Sequence, residues 1–151
     1  MKDEFRVFAH GESFDPQAYL ATTPLKFPGL WLKGESKLPN HPKLSGVFKV
    51  LGDGKTVPLL DQERIAIEFL AINRDALKAL AQFPGVTTFI LGLHYYIELE
   101  KHKGIVGFCM GPPPRLMWHA LDIGIELTYY VTLDRRSEWE ADMAAESPEN
   151  E

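Results

Sequence analysis

The stretch His10-Gly11-Glu12-Ser13-Phe14-Asp15 gathers an imidazole and two carboxylates just past a strand-like run, Phe5 to Ala9. An imidazole with a carboxylate in reach is the pairing that general acid–base chemistry uses, and loops at strand ends are where such groups are commonly held. His10, Glu12 and Asp15 are therefore the candidate ligand site of a small enzyme or ligand-binding domain. The segment also has a structural explanation. Asp15 precedes Pro16, and an aspartate before a proline-opened helix accepts a hydrogen bond from a free N–H of the first turn. With Asp15 so used the set loses a member, and no catalytic residue is assigned.

Other chemistry-bearing residues lack the spacing their chemistry needs. Histidines stand at positions 10, 41, 94, 102 and 119, none in a metal-ligating pattern, so no metal site and no cofactor is expected. The single cysteine, Cys109, lies inside the apolar run Ile105 to Met110 and is expected to be buried as a small core residue. One cysteine forms no internal disulfide, which suits a reducing compartment. Ser13, Ser36, Ser45, Ser137 and Ser147 have no G-x-S-x-G context. Gly54-Lys55-Thr56 matches only the end of a phosphate loop, because Lys49 stands where the first glycine is required; Gly52-Asp53-Gly54-Lys55 reads instead as a hairpin turn.

Charge is uneven. Of the net −5 over 151 residues, all falls in residues 134–151, where seven acids stand against Arg135 and Arg136. Residues 1–133 hold fourteen acids and fourteen bases, a neutral body with no net field for a phosphate backbone, so nucleic acid is not an expected partner. The acidic end suits a basic protein partner, with Glu138, Trp139, Glu140 and Asp142 as the candidate contacts. Ser137 and Glu140 have capping-box spacing, which predicts a short helix over 138–146. The rival explanation is a solvated end that promotes solubility.

These residues need elements to position them. Apolar residues make up 45% of the chain and charged residues 25%, a globular composition, and a chain this long folds without staples. Strands are predicted at Phe5–Ala9, within Gly29–Glu35, at Val47–Leu51, Val86–Glu98, Ile105–Met110 and Ile125–Leu133, with the Val86 and Ile105 runs forming an antiparallel hairpin. Helices are predicted after Asp15, with Tyr19 and Leu20 inward; over Asp61–Ala71, on the stripe Ile65, Phe69 and Ile72; from Asn73 to Phe83-Pro84-Gly85; and from Pro113-Pro114 to Gly124, bearing Leu116, Met117, Ala120 and Leu121. Arg64 to Glu68 also fits strand alternation. The sum is a single α+β domain over 1–133, mostly antiparallel, with helices on one face of the sheet, followed by the tail 134–151. A strand, glycine loop and proline-opened helix recur at Phe5–Leu20 and Ile105–Trp118, which would allow pseudo-symmetric halves. No apolar run approaches bilayer length and no leader pattern opens the chain, so no membrane association and a cytoplasmic location are expected.

With Phe5-Arg6-Val7-Phe8, Phe14-Asp15-Pro16, Thr23-Pro24 and Trp31-Leu32-Lys33-Gly34-Glu35 in view, the chain resembles an uncharacterised bacterial family, domain of unknown function 4279. The likeness covers roughly residues 5–133 and includes the Tyr95-Tyr96 strand. It implies a fold, and no catalytic set comes with it. In the family the step at Thr23-Pro24 usually runs proline then threonine. By size and character the chain is also similar to immunity proteins that neutralise a toxin. The expected function is a non-enzymatic cytoplasmic binding protein, most concretely an immunity-type inhibitor.

Overall fold

The computed structural model describes residues 4–35, 43–52, 59–98 and 112–134. At the centre of its sheet is β1 (Glu4–Gly11), where Phe5, Val7 and Ala9 are buried, Arg6 is exposed, and Phe8 and His10 are half-buried. That period of two sends one set of side chains into the core and the other to the opposite face.

β1 pairs antiparallel with β3 (Ser45–Leu51) on one side and with β4 (Thr88–Glu98) on the other. β2 (Gly29–Trp31) adds antiparallel to β3, and β5 (Glu126–Asp134) adds parallel to β4. The order is β2-β3-β1-β4-β5, a mixed and mostly antiparallel sheet in an α+β fold. A parallel pair cannot be closed by a tight turn, and the chain between β4 and β5, which contains α4 (Pro114–Ile123), makes the crossover.

Two expected turns fall at the edge of what the structure describes. Of Gly52-Asp53-Gly54-Lys55 only Gly52 is described, and the next described element is the helix α2 (Leu59–Ile72). The expected hairpin partner of β4, 105–110 with Cys109, lies outside the described residues.

Helix ends follow local chemistry. Asp15 Oδ1 accepts from Ala18 N–H at 2.9 Å and opens α1 (Pro16–Ala21). Asn73 turns its side-chain amide back to the Phe69 carbonyl, 2.9 Å, and so ends α2 before α3 (Arg74–Ala81) begins. α4 closes on Gly124, whose φ of 85° is left-handed backbone that glycine adopts without cost.

The core-facing sheet residues Phe5, Val7, Ala9, Val47, Leu91 and Leu93 form one cluster with Leu70 of α2, Leu77 and Leu80 of α3, and Leu116, Ala120 and Ile123 of α4. Each fully buried leucine contributes about 1.5–3 kcal/mol. The stripes differ from those expected. On α2 the buried side chains are Gln62, Ala66 and Leu70, Ile65 and Phe69 are half-buried, and Ile72 is exposed. On α4, Leu116 and Ala120 face inward as expected, but Met117 and Leu121 are exposed. Helix periodicity offers two adjacent stripes on each of these helices, and the sheet selects only one.

Tyr19 seats α1. Its buried ring meets Phe83 edge-on at 5.5 Å and Phe27 at 6.4 Å, and its hydroxyl donates to the Ala76 carbonyl of α3 at 2.9 Å.

Candidate functional site: an aromatic sheet face

The structure gives the members of the His10–Asp15 set three different places. Asp15 is the cap of α1, Glu12 is an exposed turn residue, and His10 belongs to β1. Glu138, Trp139, Glu140 and Asp142, with the helix expected over 138–146, lie outside the described residues.

His10 stands instead on the sheet face opposite the core cluster, in aromatic company. Its imidazole is stacked on Phe8 two residues earlier, with centroids 6.1 Å apart and planes 8° from parallel. On the other side it meets Trp31 of β2 at 6.5 Å, and Trp31 meets Phe48 of β3 at 6.4 Å. Phe48 is directly opposite Phe8 in the β1–β3 ladder. At the far side of the sheet, His94 of β4 and Tyr130 of β5 are register partners whose rings stack at 4.4 Å. Paired residues on neighbouring strands share a face. Each of the five strands therefore gives at least one aromatic ring to this face.

Two glycines allow the rings of β2 and β3 to lie down. Trp31 is opposite Gly46, and Phe48 is opposite Gly29. A Cβ built at Gly46 would fall inside the indole of Trp31, and one built at Gly29 would fall against three consecutive ring atoms of Phe48. Only bare backbone at these two positions leaves room for the rings. Phe48 is exposed and Trp31 half-buried, and across the sheet Tyr130 is exposed as well.

This face can stack, bury apolar area and accept edge-on contacts, as aromatic side chains do at the centres of interfaces. Among the residues whose exposure is described, its exposed charges are Arg6 and Glu126, which form no basic track for a phosphate backbone. Among the described residues, no group of three or more His, Cys, Asp or Glu is placed to hold a metal ion. No described helix is long and apolar enough to cross a membrane.

Sequence reasoning fixed on His10 for its charge and missed Trp31, Phe48, His94 and Tyr130. A signal was present: Phe5-Arg6-Val7-Phe8-Ala9-His10 and Thr128-Tyr129-Tyr130 are apolar or aromatic in both parities. A strand that could bury either face belongs to a sheet with a use for both. No protein-family model, no curated protein and no solved structure matches the chain.

Proposed function

We propose that this chain is a non-catalytic binding protein that docks a partner protein on the aromatic sheet face. The observation that carries the reading is the pair of cross-strand glycines, Gly29 and Gly46, beneath Phe48 and Trp31. A sheet gives up β-propensity at glycine, so two of them placed to flatten two rings fit a face shaped for contact. An immunity-type inhibitor in the cytoplasm, covering the working surface of a bacterial toxin, is its most concrete form. Residues 134–151, continuing from β5, would then bring their carboxylates to a basic partner. The resemblance to domain of unknown function 4279 adds a fold to this reading and no activity.

The test is site-directed. A photo-reactive phenylalanine analogue at position 48, with one at exposed Gln17 of α1 as control, identifies what touches the face in cells. The purified partner is then titrated with wild type, Phe48→Ala and Trp31→Ala. The reading expects at least about a tenfold loss of affinity for each variant, measured at a temperature where that variant is folded, as for aromatic anchors. Equal affinity of all three proteins, or equal crosslinking from both positions, refutes it.

A further inference from the structure

α4 buries one stripe and leaves another in water. Pro114, Met117, Trp118 and Leu121 follow the i, i+3, i+4, i+7 spacing that puts side chains on one side of a helix. Met117 is 46% exposed, Trp118 76% and Leu121 84%, and Ile72 at the end of α2 is 81% exposed. Single exposed apolar residues are ordinary, but a helical stripe of them marks a contact surface.

The charges beside the stripe select the occupant. Arg74 and Lys78 of α3 both converge on Asp122 of α4: Arg74 Nε and Nη2 donate to it, the latter at 3.3 Å, and Lys78 Nζ donates at 3.0 Å. Arg74 Nη1 also donates to Asp75 at 2.9 Å. Hydrogen bonds from Arg74 first and Lys78 second hold the Asp122 carboxyl down at about 2, fully ionised and already supplied with donors. A basic partner thus finds that carboxylate occupied. An acidic partner finds the opposite: among the described residues three of the five Arg74 N–H groups are engaged, Lys78 has one engaged donor of three, and Arg115 makes no ion pair. Among the described residues, the three cations Arg74, Lys78 and Arg115 stand with two carboxylates, Asp75 and Asp122, an excess of positive charge on a chain of net −5. Arg74, Arg115 and Asp122 line a concavity of about 530 Å3 together with Pro114, Trp118 and His119.

We infer that the exposed face of α4 is a second docking surface, taking an acidic amphipathic segment of a partner protein. The apolar side chains of that segment cover Met117, Trp118 and Leu121, and its carboxylates meet Arg115, Arg74 and Lys78. This surface is separate from the aromatic sheet face, because it lies on the exposed side of a helix and shares no residue with that face.

The test uses the full chain and two dye-labelled helical peptides of about four turns. One has leucine at i, i+3, i+4 and i+7 with glutamate elsewhere on its surface, and the other has lysine in place of each glutamate. Anisotropy titration is expected to show the glutamate peptide binding at least about tenfold more tightly than the lysine peptide, with affinity falling as salt rises. Trp118→Ala and Arg115→Glu should each remove about tenfold, Arg115→Lys should recover most of the loss, and Phe48→Ala should change nothing. Equal binding of the two peptides, or binding indifferent to Trp118→Ala, overturns the inference. Self-association that Trp118→Ala abolishes also overturns it, by assigning the stripe to a second copy of the chain.

Discussion

Trp31 of β2 stands directly opposite Gly46 of β3, and its indole occupies the space a side chain at 46 would need. A methyl group there would also lie 2.6 Å from the Ala9 carbonyl oxygen of β1, so moving the ring alone does not make room and the β1–β3 backbone must give as well. Gly46→Ala is therefore expected to cost about 1–3 kcal/mol, as overpacking does. Urea unfolding followed by tryptophan emission measures it. A red-shifted native spectrum should accompany the lower midpoint, and an unmoved midpoint would show that the indole is not seated as described.

Asp15→Ala removes the side-chain bond to Ala18 N–H and is expected to cost about 1 kcal/mol, whereas Asp15→Ser should cost much less because serine also caps. Chemical denaturation of the two variants separates this structural role from the ligand-site role. Unchanged stability of Asp15→Ala would return Asp15 to the candidate site.

The features that were legible in the sequence are the ones set by neighbours along the chain. Asp15-Pro16, Phe83-Pro84-Gly85 and Gly124 mark element ends where the structure has them, and the strands at Phe5, Val47, Val86 and Ile125 recur within two residues of their expected bounds. Pairing was less legible. Nothing local at Ile125–Leu133 says that the strand runs parallel to β4, since that follows from the crossover containing α4. The stripe of α4 shows the same limit. Leu116 and Leu121 are equivalent by hydropathy, and only the position of the sheet decides that Leu116 is buried and Leu121 is not. His10 shows the same limit: its type suggests titration, and nothing near it in the chain says that its ring neighbours are Phe8 of β1 and Trp31 of β2.

Tyr19→Phe tests the tie between α1 and α3. The ring contacts with Phe83 and Phe27 survive the change and the hydroxyl, with its bond to the Ala76 carbonyl and its contact with Thr23, is lost, so the expected cost is about 0.5–1.5 kcal/mol. Tyr19→Ala empties a fully buried site and should cost about 3–5 kcal/mol. Guanidinium midpoints of the two variants give both values. Similar losses in the two would mean that the hydroxyl, rather than the ring, holds α1 in place.

Asp122 makes the stability depend on acid pH in one direction. Hydrogen bonds from Arg74 and Lys78 lower its folded-state pKa from 3.8 to about 2. The unfolded chain therefore takes up this proton more readily than the folded one, and protonation favours unfolding. The contribution is fully present above about pH 4 and is lost as pH falls from there through about 2. The group is open to solvent, so salt should weaken the effect. Asp122→Asn lacks the titrating carboxylate. Urea midpoints of wild type and Asp122→Asn should consequently differ at pH 7, draw together as pH approaches 2, and differ less at pH 7 in 1 M salt. A gap that stayed constant from pH 7 to pH 2 would mean that Asp122 gains nothing from Arg74 and Lys78 that the unfolded chain lacks.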